Sequence, residues 1–167
     1  MAITATFEIA PTKLPAVVKE IFEVTSAQAE LTPRSIEKLT ELAKANTLAV
    51  VYKDNSLIGW GAVESLTKKL SEIGMVFIKP EHRSAEVFNA LMQLVAKRKD
   101  TYLLATYDQA LIRYVKTVWH AKETNLLGAI LLSHGKFLTK RLNSESRKSI
   151  STRLKDSKPS YAIIERG

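Results

Sequence analysis

The residues from 70 to 107 constrain the fold most, because they combine two strand patterns with a helix pattern. Residues 70–79, "LSEIGMVFIK", predict a strand, and residues 84–99, "SAEVFNALMQLVAKRK", carry apolar residues at helical spacing. Residues 101–107, "TYLLATY", predict a second strand. A helix that connects two strands of one sheet makes those strands parallel. The sequence therefore predicts a strand–helix–strand unit.

The flanking segments extend this unit into a sheet. Two helices are predicted before it, the second with Thr32 as N-cap and Pro33 at its first position. The dipeptide Asp54-Asn55 lies between two segments of period two, which indicates a hairpin. Further strands are predicted at 4–9, 47–53, 56–65 and 160–165, and a helix at 108–122 with Asp108 as its cap. We expect one α/β domain over 1–167, with a mixed central β-sheet flanked by helices on both faces.

Residues 123–158 are harder to interpret. The segment "NLLGAILLS" fits a strand or a buried helix, and "KFLTKRLNSESRKSISTRL" fits a basic helix interrupted near Asn143. The apolar run 126–132 permits a homodimer interface without requiring one, and it is far too short to span a bilayer. The N-terminus lacks the features of a signal peptide, so we expect a cytoplasmic protein.

Composition excludes several kinds of chemistry. The sequence has 167 residues, of which 46% are hydrophobic, so it can bury a core without disulfides or a metal. It has no cysteine, which removes thiolate ligands, cysteine nucleophiles and disulfides. The three histidines lie far apart in the sequence and form no helical ligand pair. No metal is therefore expected.

Positive charge is concentrated late in the chain. The formal net charge is +8, and residues 136–158 contain eight Lys or Arg residues against two acidic ones. A basic surface of this kind favours an anionic partner, although a solvated surface explains it equally well. The candidates for contact with nucleic acid or an acidic carrier protein are Lys136, Lys140, Arg141, Arg147 and Lys148.

The element order and two motifs resemble the GCN5-related N-acetyltransferase (GNAT) superfamily over about residues 47–120. The motif "SEIGMVFIKPEHR" is similar to the family's fourth strand and the turn after it. The motif "ALIRYVKTVWH" is similar to a later helix, with Ala110, Tyr114 and Lys116 in step and Val118-Trp119 where the family has Gly-Phe. The resemblance implies the GNAT fold and transfer of an acyl group from acyl-coenzyme A to an amine.

The resemblance also implies a set of site residues. Phe77 and Ile78 would offer main-chain contacts to the thioester at the end of the fourth strand. Arg83 and Ser84 would lie at the diphosphate, where a helix begins. Glu72 would be the base that deprotonates the amine, and Tyr114 the acid that protonates the departing thiolate.

The diphosphate loop departs from the family pattern. That loop reads Gln or Arg, two spacers, Gly, a spacer, then Gly or Ala; aligned on Arg83, the two small positions hold Glu86 and Phe88. Phe88 adds bulk and Glu86 adds negative charge where a diphosphate would bind, so this loop favours helix stability over anion capture. Binding of ordinary acetyl-coenzyme A is therefore expected to be impaired.

Two functions follow. The first is an N-acyltransferase that uses acetyl- or another acyl-coenzyme A and an unknown amine acceptor. The alternative is a GNAT-like protein that no longer uses acetyl-coenzyme A in the standard way and acts on an anionic partner through 136–158. Such a protein would modify DNA as phage Mom-type proteins do, take acyl groups from acyl carrier protein, or bind nucleic acid without catalysis. For the Mom-type function, the important residues would be Asp108, Tyr114, Trp119 and His134.

Overall fold

The computed structural model describes residues 2–28, 34–97, 101–141 and 159–165. The strands are β1 (Ile3–Thr6), β2 (Leu48–Lys53), β3 (Ser56–Ser65), β4 (Leu70–Ile78), β5 (Thr101–Thr106), β6 (Lys122–Thr124) and β7 (Ser160–Glu165). The helices are α1 (Leu14–Ala27), α2 (Ile36–Lys44), α3 (Ala85–Val95), α4 (Gln109–Trp119), α5 (Leu126–Leu132) and α6 (Lys136–Arg141), with a 3₁₀ turn at Pro80–His82. No helix among the described residues has the length and apolar character needed to cross a membrane.

The strands form one mixed sheet in the order β1-β2-β3-β4-β5-β7-β6. β4 and β5 are parallel, with Leu70 opposite Thr101 and Ile73 opposite Leu104. The β1–β2, β2–β3, β5–β7 and β6–β7 pairs are antiparallel. The predicted α/β class, the mixed sheet and the parallel strand–helix–strand unit are confirmed.

Turn chemistry accounts for the hairpin between β2 and β3. Asp54 and Asn55 have φ values of 49° and 67°, as a tight two-residue turn requires. Asp and Asn tolerate this left-handed backbone better than other residues that carry a side chain. The predicted hairpin is therefore confirmed, and β3 keeps its predicted bounds.

Of the two helix caps that the sequence predicts, one agrees with the structure. The Asp108 carboxylate accepts hydrogen bonds from the amides of Ala110 and Leu111, at 2.8 and 3.2 Å, and so caps α4 as predicted. The predicted start of α2 is wrong. The helix begins at Ile36 because the Ser35 hydroxyl accepts the Lys38 amide at 3.2 Å, whereas Thr32 and Pro33 lie outside the described residues.

The chain divides into two compact units. The first comprises 1–63 and 75–98, and the second comprises 64–74 and 99–167. The core of the first contains apolar residues of α1, α2, β2, β3 and β4, among them Ile21, Leu39, Val50, Trp60 and Phe77. The core of the second contains Leu66, Leu70, Leu103, Ala129 and Phe137. The prediction of a single domain over 1–167 stays a prediction.

The segment after residue 121 differs most from expectation. The three-residue strand β6 was not predicted, because "KET" has no apolar alternation to signal it. The segment 126–132 is a helix, but of its residues only Ala129 is buried, so the interpretation as a buried helix is wrong. Asn143, the predicted interruption of the following helix, lies outside the described residues.

Candidate functional site: the end of β4, the start of α3 and two side-chain pairs

β4 contains one extra residue relative to β3. Near the hairpin, the Leu66 amide donates to the Leu70 carbonyl at 2.9 Å, and continuing that register would put Ile78 opposite Ile58. Instead the Lys79 amide donates to the Ile58 carbonyl at 2.9 Å. Met75, with φ of 56°, has left-handed backbone in this stretch. β4 therefore has a β-bulge, a feature that often lies beside binding sites.

After the bulge, the end of β4 is firmly packed. The rings of Phe77 and Trp60 lie 4.8 Å apart, and both side chains are buried. A Cβ atom at Gly59 would come within 2.9 Å of the Phe77 carbonyl oxygen, so β3 approaches β4 closely because residue 59 has no side chain. The predicted main-chain contacts, Phe77 and Ile78, thus belong to a buried and closely packed strand end.

Arg83 secures the turn that follows. Its Nε donates to the Ile78 carbonyl at 3.1 Å, across the 3₁₀ turn at Pro80–His82. The Arg83 amide donates to the Pro80 carbonyl at 3.3 Å. The remainder of the exposed guanidinium has no hydrogen bond or ion pair to the described residues. It is therefore available to an anion.

The start of α3 has two free amides. The Ser84 hydroxyl accepts the Val87 amide at 3.3 Å, which makes Ser84 the N-cap. The amides of Ala85 and Glu86 have no hydrogen-bond partner among the described residues. Two free N–H groups and the positive end of an eleven-residue helix form the usual setting for an anion. The Glu86 side chain is exposed and Phe88 is half-buried.

Two carboxylates, Glu64 of β3 and Glu72 of β4, lie near the hairpin that joins these strands. Continued from the contact between Leu66 and Leu70, the antiparallel register pairs Glu64 with Glu72. The Lys140 ammonium lies 3.5 Å from the Glu64 carboxylate. Glu72 is only 9% exposed, so it is not a solvent-facing strand residue.

Tyr114 forms a hydrogen bond with Trp119 within α4. An indole N–H can only donate, so Trp119 donates to the phenol oxygen of Tyr114. Burial raises the pKa of Tyr114, and this hydrogen bond partly opposes the increase. The end of α4 is fixed by the Ala121 amide, which donates to the Val115 carbonyl at 3.1 Å. Tyr114 is therefore a protonated donor at neutral pH.

A further cluster was not predicted. The Lys79 ammonium lies 2.7 Å from the Glu20 carboxylate, between the turn after β4 and α1. Burial and, to a smaller extent, the charge of Glu20 raise the pKa of Tyr52 on β2. These residues lie far apart in the sequence, so no local pattern could have indicated the cluster.

The structure groups some of the predicted site residues. Phe77, Ile78, Arg83 and Ser84 adjoin one another in the first unit, whereas Glu72 and Tyr114 belong to the second unit. Of the residues proposed for the Mom-type function, Asp108 has a structural role as the cap of α4. His134 is exposed to solvent and has left-handed backbone.

The basic candidates are only partly described. Lys136 is exposed and Lys140 is paired with Glu64. Arg141 is the last residue of α6, and its side chain is not among the described parts of the chain. Arg147 and Lys148 lie outside the described residues. Contact with nucleic acid or an acidic carrier stays a prediction.

Solved structures share this architecture, although no protein-family model and no curated protein matches the sequence. Rv2747 from Mycobacterium tuberculosis, in complex with CoA, has a TM-score of 0.66 at 12% identity, covering 100% of both chains. N-acetylglutamate synthase from Neisseria gonorrhoeae, with coenzyme A and N-acetyl-glutamate, has a TM-score of 0.65 at 9% identity, covering 99% of this chain and 35% of that one. A GNAT family acetyltransferase from Bacillus cereus has a TM-score of 0.60 at 9% identity, covering 99% and 97%.

These similarities define the fold. At such low identities they concern the architecture alone. The chain has the fold of the GCN5-related N-acetyltransferases, as its resemblance to that superfamily implied.

Proposed function

We propose that this chain is an N-acyltransferase that transfers an acetyl or other acyl group from acyl-coenzyme A to an amine. The observation that carries the proposal is the junction from the bulged β4 to the capped start of α3. The comparisons support it, because the neighbours from Mycobacterium tuberculosis and Neisseria gonorrhoeae were solved with coenzyme A.

The residues at this junction fit a diphosphate. The free amides of Ala85 and Glu86 and the available part of the Arg83 guanidinium supply donors and positive charge. The carboxylate of Glu86 opposes an anion, but its side chain is exposed and can turn towards solvent. Phe88 lies one turn into the helix and is half-buried, so it is directed partly away from solvent. We therefore expect binding that is weakened rather than lost.

The chemistry requires one base and one acid. Acyl-coenzyme A supplies a thioester whose sulfur leaves as a thiolate. In our proposal, Glu72 accepts a proton from the amine as its nitrogen bonds to the carbonyl carbon. Tyr114 donates its phenol proton to the sulfur as the C–S bond breaks. Acid–base catalysis of this type contributes about 10²–10⁴-fold to a rate.

The environment of each group supports its proposed role. Glu72 is shielded from bulk water. The Lys140 ammonium forms an ion pair with Glu64 and so offsets the negative charge of that second carboxylate. Burial keeps the Tyr114 phenol protonated, so it still carries the proton that an acid must supply, while Trp119 donates to its oxygen.

The test is calorimetric titration of the purified chain with acetyl-coenzyme A, beside the double variant Glu86→Gly/Phe88→Gly. Measurable binding by the parent, and tighter binding by the variant, would support the proposal. Acyl transfer is then followed by the release of free thiol in the presence of a panel of amines. Because the chain has no cysteine, it adds nothing to that signal.

Two results would contradict the proposal. If neither protein binds acetyl-coenzyme A or coenzyme A, the junction is not a coenzyme A site. If the parent binds but releases no thiol with any amine, and Glu72→Gln and Tyr114→Phe leave its slow thioester hydrolysis unchanged, the chain binds coenzyme A without catalysing transfer.

A further inference from the structure

An ion pair ties the turn after β4 to α1. The Lys79 ammonium lies 2.7 Å from the Glu20 carboxylate, and the two residues lie 59 positions apart in the sequence. The Lys79 side chain is 24% exposed and that of Glu20 is 42% exposed. The pair of Lys19 and Glu23 within α1 is more open, at 69% and 61%. Shielding from water makes the first pair the stronger link, and we call Glu20 and Lys79 the anchor pair.

The main chain of Lys79 is also held. Its amide donates to the Ile58 carbonyl of β3 at 2.9 Å, and its carbonyl accepts the His82 amide at 2.9 Å. Lys79 is therefore the residue through which β3, the 3₁₀ turn and α1 are connected. Arg83 closes the same turn, because its Nε donates to the Ile78 carbonyl at 3.1 Å. A displacement of Lys79 would therefore be transmitted to the Arg83 guanidinium.

α1 provides a fixed point for the anchor pair. Val18 and Ile21 of this helix are buried in the core of the first unit, against which Tyr52 of β2 also packs. Burial raises the pKa of Tyr52, and the nearby charge of Glu20 raises it further, so the carboxylate lies close to β2 as well as to the turn. A side chain borne on a packed helix holds its partner more precisely than one borne on a loop.

We propose that Glu20 and Lys79 are positioning residues, which hold the turn after β4 so that the Arg83 guanidinium meets an anionic ligand at the start of α3. The inference rests on the proposed function, because the anion in question is the diphosphate of coenzyme A. The anchor pair acts through Arg83 and does not itself touch the ligand. Such preorganisation increases affinity, because the turn is already ordered before the ligand binds.

The test compares Glu20→Ala with Glu23→Ala, a matched control on the same helix. Each variant removes one negative charge from α1, so electrostatics alone predicts equal or tighter binding of the anionic coenzyme A. Positioning predicts the opposite sign for Glu20→Ala, a loss of about three- to tenfold in calorimetric affinity. Glu23→Ala should bind as the parent does, because its ion pair with Lys19 is exposed.

Two further measurements distinguish positioning from a general loss of stability. The double variant Glu20→Ala/Lys79→Met should bind coenzyme A no more weakly than Lys79→Met alone, because the two residues act as one unit. The Arg83 Nε–H, observed by NMR, should exchange with water faster in Glu20→Ala than in Glu23→Ala or the parent. Circular dichroism confirms that each variant is folded.

The outcomes separate this inference from the proposed function. If the parent binds coenzyme A, the inference is overturned when Glu20→Ala binds as tightly as Glu23→Ala, or when the losses in the double variant add. If the parent does not bind coenzyme A, the proposed function fails, and exchange of the Arg83 Nε–H alone decides. Faster exchange in Glu20→Ala only would then uphold the anchor pair, whereas equal exchange in all the proteins overturns it in either case.

Discussion

Replacing Glu86 with Gln is expected to tighten coenzyme A binding about fivefold. Glu86 is exposed at the second position of α3, next to the free amides of that helix start. For an exposed pair, two like charges about 4 Å apart repel by about 1 kcal/mol in water. Removal of one such repulsion corresponds to about a fivefold change in dissociation constant. The gain should shrink as salt rises, because the pair is screened.

α2 provides a matched control for this change. It begins with Ser35 as N-cap and carries exposed Glu37 at the same position relative to the cap. Glu37→Gln and Glu86→Gln should each lose about 0.3–1 kcal/mol of helix-dipole stabilisation, measurable by urea unfolding. Only Glu86→Gln should change the calorimetric affinity for coenzyme A. Equal affinities for both variants and the parent would refute the placement of the diphosphate at α3.

Three further predictions concern side chains with described neighbours. Glu72→Gln should slow acyl transfer by about 10²-fold or more with unchanged coenzyme A affinity, and Glu64→Gln should slow it less; initial rates of thiol release distinguish them. Trp119→Phe should raise the pKa of Tyr114 further, because the lost hydrogen bond favours the phenolate; tyrosine ring NMR over a pH series measures this. The free energy of unfolding should fall as pH rises above 10, because folding raises the pKa of Tyr52 and the unfolded chain releases that proton first; Tyr52→Phe should flatten the fall in urea titrations.

Periodicity and turn chemistry made most of the fold predictable. β3 and β7 have the bounds that alternation indicates, and the Asp54-Asn55 turn joins β2 to β3. These features depend on a few adjacent residues, so the sequence contains the whole signal. The predicted start of α2 is wrong because Thr32 and Ser35 are both residue types that cap helices and lie three positions apart in the sequence. Ser35 is the one whose hydroxyl accepts the Lys38 amide.

The side-chain clusters could not be predicted in the same way. The ion pair of Glu64 and Lys140 joins residues 76 positions apart, and that of Glu20 and Lys79 joins residues 59 positions apart. Such contacts depend on strand register and helix docking, which local patterns do not encode. The exception is the bond between Trp119 and Tyr114, because both residues lie on one helix.

The backbone at Met75 bears on whether the junction still serves a ligand. A residue with a side chain costs about 1 kcal/mol or more in left-handed backbone, and a bulge also interrupts the ladder of hydrogen bonds. A straight β4 would avoid both costs, yet the packing of Phe77 on Trp60 holds the strand end in place. Strain that surrounding packing maintains is concentrated at functional sites. The bulge therefore agrees with our proposal that the strand end binds acyl-coenzyme A, although Glu86 and Phe88 occupy the small positions of the loop. Titration of the unaltered chain with coenzyme A is thus more decisive than titration of the glycine variant alone.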